Sequence, residues 1–392
     1  MKWFSVCALA HMVVLSCVMV SCAAAMQQTT LDHPHNTTET YDELDGLDEL
    51  VASGRIPGIA VLAAKNGEIQ ILDIAGMRDT ETGDPLKTDD LFHLGSCTKA
   101  MTATLAASII EDGLLSWDTT LAKALPGLVD ELDPWYRDVT IEQLLHHRAG
   151  VAERTDRMWE FETFAAIQQF EGTPTEIRKQ AVQYVLSKPP RSRDTTRMEY
   201  SNVSYMTVGY VLETVMEKPF EQLMHERVFL PLGMTSAGFG LPQGQSQPRG
   251  HHQTHDGFLP VAAEDQNKAS PAYSPSGEVH ATLHDWFLFA QDQMRGYRGE
   301  PGTLLAPDSY RKLHEPPTGG TYAMGWYKRR QAWANVALTH NGTNVTFYAV
   351  ATLAPELDAC VLVATNCGPP TAGRACRDAL RLAIDQLQLS GK

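Results

Sequence analysis

This 392-residue chain has no Cys-x-x-Cys pair, no Gly-x-Ser-x-Gly turn, no excess of basic residues and, past residue 20, no long apolar run. Each absence closes a class of function. Without paired cysteines at metal-ligand spacing, a zinc finger or ribbon is excluded. Without glycine two residues either side of a serine, the nucleophile elbow of an α/β-hydrolase is excluded. Lys and Arg total 32 against 47 Asp and Glu, a net charge of −15, so no nucleic-acid partner is expected. No later segment reaches the roughly 18 apolar residues of a membrane-spanning helix. Outside the N-terminal segment the cysteines are Cys97, Cys360, Cys367 and Cys376, too few for a disulfide framework. Cys367 and Cys376 could pair across a Pro/Gly turn, but spacing leaves the connectivity open. What is present, 43% hydrophobic and 20% charged residues, suffices for a substantial core at this length.

The N-terminus differs from the rest. Lys2 gives a positive start, residues 3–20 are almost wholly apolar, and Ser21-Cys22-Ala23-Ala24-Ala25 offers small residues for cleavage. Residues 1–25 are therefore expected to be a signal peptide, and the protein to be exported, periplasmic or otherwise extracytoplasmic. Met19-Val20-Ser21-Cys22 is also similar to a bacterial lipobox, in which Cys22 would carry lipid and tether the chain to a membrane. Lipidation stays open at this point. Residues 26–41 are polar and read as a flexible linker.

Residues 42–53 read as a short helix. Apolar runs at 58–63 and 68–74 flank Asn66-Gly67, a strong hairpin signal. Residues 96–112 carry Ala, Met, Leu and Ile at helical spacing and stop at Gly113. Further helices are expected at 140–147, 175–187 and 205–216, and after Thr282, a candidate cap. Strands are expected at 322–326, 333–338, 346–353 and 359–364, and an amphipathic helix at 380–389. Strands at both ends around a helical middle predict one composite α+β domain over 42–389. It would be an antiparallel sheet built from both chain ends and flanked by helices, with a mostly helical insertion at about 100–270. A cleft between them is the expected binding site.

Ser96-Cys97-Thr98-Lys99 opens the apolar helix. Residues i and i+3 share a helical face, so hydroxyl and amine can meet. A serine becomes a nucleophile when a base takes its proton, and a lysine is that base when burial or nearby charge lowers its pKa. The helix start adds backbone N–H groups suited to a developing oxyanion. Ser309-Tyr310-Arg311-Lys312 repeats the spacing but meets Pro316-Pro317, and Ser309 reads as an ordinary cap or surface serine. Tyr200-Ser201-Asn202 is a second element. Between two cations Tyr200 could take and return the proton, and Asn202 could bind Lys99 and a substrate carbonyl; the plainer reading is a turn before a helix, with Tyr200 packed. His340-Asn341-Gly342-Thr343 is a third. His-x-Gly recurs at His93 and His255, so only context favours His340, which lies between a strand and the apolar run from Thr346. Gly342 would let a substrate approach a strand edge, and the Thr343 amide could join that of Ser96 as an oxyanion hole.

In this order the three elements resemble the penicillin-recognising serine hydrolases, closest to the class C β-lactamase, D,D-peptidase and family VIII esterase branch. The resemblance extends to residues 56–61, to Phe92-His93-Leu94-Gly95, to Leu144-Leu145-His146-His147-Arg148-Ala149-Gly150 and to residues 275–282, about 42 to 389 in all. It implies a β-lactamase/transpeptidase-like fold and an acyl-enzyme at Ser96. Three departures bear on substrate. His340 stands where class C β-lactamases carry Lys, and histidine is only partly charged near neutral pH. Thr343 and Asn344 replace glycines, which should narrow the cleft, and Ala149 replaces Ser. Weak or no β-lactamase activity is expected.

The resulting expectation is a serine hydrolase acting on an ester or amide of a small molecule or peptide, with no metal or organic cofactor. The alternative is a non-catalytic, penicillin-binding-like sensor on the same scaffold. His251, His252 and His255 read as a solvated loop rather than a metal site, and His146-His147 as helix-end packing. Trp286, Trp326 and Trp333 read as core or cleft wall, and Cys97 as a small buried helix residue.

Overall fold

A computed structural model describes residues 41–53, 55–151, 157–244, 246–262 and 270–389. The expected signal peptide, Cys22 and all but the last residue of the linker lie outside the described residues. The strands are β1 (Gly58–Lys65), β2 (Glu68–Gly76), β3 (Phe92–His93), β4 (Gly238–Phe239), β5 (His251–Gln253), β6 (Phe258–Pro260), β7 (Val279–Ala281), β8 (Tyr322–Ala323), β9 (Trp326–Arg329), β10 (Ala337–Thr343), β11 (Tyr348–Ala354) and β12 (Ala359–Thr365). Seven of them form one antiparallel sheet in the order β2-β1-β12-β11-β10-β9-β8, so both chain ends build it, as the sequence predicts. Asn66 (φ 57) and Gly67 (φ 79) make the β1–β2 turn, whose two left-handed residues match the twist of the strands.

Two apolar layers sandwich the sheet, and side-chain alternation sorts residues between them. Ala60, Leu62, Cys360 and Leu362 face the larger core, shared with the helical region. Val61, Ala63, Val361 and Val363 face the smaller one, under the helices Leu47–Ala52 and Thr371–Gln386. The Thr98–Glu111 helix is apolar nearly all round and buried from Thr98 to Ala107, which makes it the central helix. It packs on the Asn202–Met216 helix and the Ser274–Gly277 turn.

Several boundaries differ from expectation, each for a local reason. The Asn202–Met216 helix starts three residues early because Ser201 caps it, accepting from the Ser204 amide at 3.3 Å. Residues 322–326 are two short strands, split where Gly325 turns at φ 87. Residues 333–336 are not strand; β10 begins at Ala337 and carries His340 to Thr343 within it. The last helix begins at Thr371, nine residues before expectation. Residues 251–260 form a hairpin rather than a loop, with His251 buried and bonded to Asn366 O (3.0 Å) and the Thr80 amide (3.2 Å). Ser309 lies inside the Pro307–His314 helix rather than capping it, and Lys312 pairs with Glu142. Thr282 does cap its helix, accepting from the Asp285 amide. Cys97, Cys360, Cys367 and Cys376 are free, buried thiols, so the candidate Cys367–Cys376 pair is not a disulfide here.

His314 gives a test of this packing. It is buried, with Nε2 3.0 Å from Gln293 Oε1, and burial pushes its imidazole down to about 3. A histidine held neutral in the fold contributes stability that is complete above its unfolded pKa of about 6.5 and is lost as pH falls from there toward the folded value. The slope is about 1.4 kcal/mol per pH unit. Denaturant unfolding at pH 7 and pH 5 should therefore show the wild type losing about 1–2 kcal/mol more than His314→Phe over that interval; equal losses would contradict a neutral buried His314.

Candidate active site

The site forms where the central helix begins beside the edge of the sheet. Residues Gly95–Cys97 make one tight turn leading into Thr98–Glu111. β9 pairs with β10 only at Ala337–Thr339, so the edge of β10 from His340 onward meets the Ser96 turn instead of another strand. The approach is backbone to backbone. A Cβ on Gly342 would stand 2.0 Å from Leu94 O and 2.5 Å from Ser96 N, and one on Gly95 (φ 51) would stand 2.3 Å from Thr343 N. Only glycine fits at either place. The amides of Ser96 and Thr343, the expected oxyanion donors, thereby lie on adjoining backbones.

Lys99 is fully buried. Its Nζ donates to Ser96 Oγ at 3.2 Å, to Asn202 Oδ1 at 2.6 Å and to the Ser276 carbonyl at 2.6 Å. Three acceptors match the three N–H donors of an ammonium. The amine also lies 4.9 Å from the Tyr200 ring centroid and 5.6 Å from that of Tyr205, within cation–π range. Serine, lysine and asparagine, read from two distant segments, are thus joined directly, and Tyr200 packs against them. Asn202 can bond Lys99 because the early helix start places it in a first turn.

His147 is a site residue that its helix-end reading missed. It is buried just past the Ile141–Leu145 helix at φ 56, and its ring packs 4.4 Å from that of Tyr200 and 4.8 Å from that of Tyr322. The Ser201 amide donates to its Nδ1 at 3.2 Å, so the neutral ring carries its proton on Nε2, which has no hydrogen-bond partner among the described residues. Burial, and then the charge of Lys99, hold His147 well below its ordinary pKa. The Ser276 carbonyl was also missed, since backbone acceptors leave no mark in a sequence. Tyr205 and Tyr322 complete the surround, and the Tyr205 hydroxyl donates to Leu145 O at 2.9 Å.

His340 is buried, not partly charged. Its Nδ1 lies 2.7 Å from Asn341 O, so Nδ1 carries the proton, and Nε2 faces the Tyr322 hydroxyl at 3.5 Å. The rings of Tyr327, Tyr322 and Tyr200 stand 5.7, 5.9 and 6.3 Å away. Burial pushes the imidazole down to about 3, with Lys99 acting the same way, which corrects the expectation of partial charge at neutral pH. The Thr343 and Asn344 side chains are tied locally. Thr343 Oγ1 donates to Phe347 O at 2.7 Å, and Asn344 Oδ1 accepts from the Phe347 amide at 2.8 Å, so both side chains bond within their own turn. Cys97 is buried, its thiol pushed up to about 12. Among the described residues no cluster of three His, Cys, Asp or Glu is placed to hold a metal ion.

The family model described as Beta-lactamase matches residues 45–386. The unguisins hydrolase ungD' of Aspergillus campestris (strain IBT 28561) is 26% identical over 305 residues, covering 71% of this chain and 53% of that protein. The chain spans between 53% and 64% of the first curated relatives it matches. The octameric penicillin-binding protein homologue from Pyrococcus abyssi shares the fold with a TM-score of 0.70 at 19% identity, covering 86% of this chain and 75% of that one. The D-amino acid amidase of Ochrobactrum anthropi SV3 gives 0.70 at 21% identity, covering 88% and 97%. At these identities the solved structures establish the fold, a β-lactamase/transpeptidase-like sandwich, and no more. With a family match across almost the whole described chain, this protein belongs to the beta-lactamase family.

Proposed function

We propose that the protein is a serine hydrolase that forms an acyl-enzyme at Ser96 on an ester or amide. The observation that carries this reading is the contact of the buried Lys99 Nζ with Ser96 Oγ at 3.2 Å, in a site that also bonds Asn202. Ser96 Oγ attacks the carbonyl carbon, and its proton passes to the Lys99–Tyr200 pair. An ammonium has no lone pair, so the base is either Lys99 as a neutral amine, which becomes the ammonium on taking the proton, or Tyr200 as a phenolate beside the Lys99 ammonium, which becomes the phenol. The amides of Ser96 and Thr343 hold the tetrahedral oxyanion, and Asn202 supports Lys99 and the substrate carbonyl. The leaving group departs with the returned proton, and water then frees the acyl group from Ser96. On this reading the enzyme acts after export, free or tethered at Cys22, on a small molecule or peptide.

The substrate this site favours has no carboxylate beside the scissile bond. His340 is neutral with both ring nitrogens engaged, and the Thr343 and Asn344 side chains are bonded to Phe347. That supports an esterase or peptidase-type amidase with weak or no β-lactamase activity. Amides of the kind named for the Ochrobactrum enzyme fit this class.

Labelling with a fluorophosphonate should modify wild type at Ser96. Ser96→Ala should lose label and lower kcat by about a thousandfold or more, and Lys99→Ala by about a hundredfold or more. Ligand binding without covalent capture would instead favour the sensor. Matched substrates that differ only in a free carboxylate or its methyl ester should separate in kcat/KM by at least about tenfold in favour of the ester, since a buried site without a partner charge penalises the anion; preference for the carboxylate would refute the neutral-cleft reading.

A further inference from the structure

Behind the nucleophile lies a histidine that this mechanism does not use. His93, on β3, is completely buried. The Gly95 amide donates to its Nδ1 at 3.2 Å, and its Nε2 lies 3.2 Å from Glu278 Oε2. A backbone N–H can only donate, so Nδ1 accepts and the neutral ring carries its proton on Nε2, where it is donated to the Glu278 carboxylate. A continuous chain therefore runs Glu278 to His93 to the Gly95 amide and ends one residue before Ser96.

Its two ends lie on the two segments that hold the reactive groups. Glu278 directly follows the Ser274–Gly277 turn, whose Ser276 carbonyl accepts from Lys99. A Cβ on Gly277 would stand 3.7 Å from Gly95 C and 3.9 Å from Ser96 N, so that turn already rests on the nucleophile turn. The same segments are joined by Leu94 N to Val279 O at 2.8 Å and Val279 N to Thr98 Oγ1 at 3.0 Å. What His93 adds is direction. Holding the Gly95 N–H fixes the peptide plane between Leu94 and Gly95 and keeps Gly95 at φ 51. Rotation of that plane would swing the next amide, that of Ser96, away from Thr343.

We infer that His93, oriented by Glu278, is a positioning residue that aims the Ser96 amide and hydroxyl, so that it governs acylation rate rather than substrate binding. This rests on Ser96 being the acylated nucleophile. Two amide substitutions divide the functions of the ring. In His93→Asn the side-chain oxygen reaches the place of Nδ1 and still accepts from Gly95. In His93→Gln the amide reaches the place of Nε2, meets Glu278 and leaves Gly95 unheld. His93→Phe and Glu278→Ala remove the chain from either end.

The experiment measures the rate of Ser96 labelling by a fluorophosphonate, together with kcat and KM on an uncharged aryl ester, using the full chain. His93→Asn is expected to stay within about threefold of wild type. His93→Gln and His93→Phe are expected to lose about 10- to 100-fold in labelling rate and kcat, with KM within about twofold, the scale of a misaligned oxyanion donor. Glu278→Ala, at a less buried position, is expected to lose about tenfold and keeps the test open should His93→Phe fail to fold. His93→Gln matching His93→Asn, Glu278→Ala at wild-type rate, or losses confined to KM would each overturn the inference. An inactive, unlabelled wild type would instead overturn the hydrolase reading on which it rests, so the two failures are distinguishable.

Discussion

Lys99 is a completely buried lysine, and the arrangement of the site follows from keeping it there. Withdrawing an ammonium from solvent costs several kcal/mol, which only close hydrogen-bond acceptors and favourable dipoles offset. Here the acceptors are the Ser96 hydroxyl, the Asn202 amide oxygen and the Ser276 carbonyl, with the faces of Tyr200 and Tyr205 nearby. These groups are drawn from widely separated stretches of the chain. The central helix supplies the amine, the Ser201-capped helix the amide, and the turn before β7 the carbonyl. The fold can be read as the construction that lets all three converge on one nitrogen.

The surroundings of that nitrogen are aromatic and uncharged. His147 and His340, both near enough to feel the Lys99 charge, are held neutral chiefly by burial, and each has its proton placed by a backbone group: the Ser201 amide at Nδ1 of His147, the Asn341 carbonyl at Nδ1 of His340. A second positive charge beside Lys99 would raise the desolvation burden and compete for the same acceptors. Neutral rings instead keep the dielectric low, which strengthens every polar contact inside. The same packing leaves His340 uncharged, so the burial of Lys99 and the neutrality of the ring opposite it have one physical origin.

How far this was legible in the sequence depended on how local each cause was. Asn66-Gly67 states its own turn, Thr282 its own cap, and Ser96 with Lys99 their own helical face, because each signal and its consequence lie within one turn of chain. The apolar runs at 58–63 and 359–364 likewise marked two strands of the sheet. What stayed hidden depends on partners far away in sequence. Ser201 looked like part of a turn, and its capping moved Asn202 onto the helix. His147 looked like helix-end packing, and His93 like one of several His-x-Gly repeats; nothing beside them names Tyr200 or Glu278 as partner. The charge of His340 was misjudged because burial among Tyr200, Tyr322 and Tyr327 is a tertiary fact. The motif positions were readable, whereas the protonation states were not.

The close approach of β10 to the Ser96 turn places one strict demand on the sequence there. Gly95 and Gly342 meet through backbone alone, so the spacing of the Ser96 and Thr343 amides depends on the absence of side chains there and not on which side chains surround them. Adding even a methyl group at either glycine would force backbone apart by more than an ångström on the distances found, a displacement that catalysis by aligned donors does not tolerate. The side chains of Thr343 and Asn344 are tied to Phe347 instead, so a change in either leaves the backbone contact between the two glycines in place.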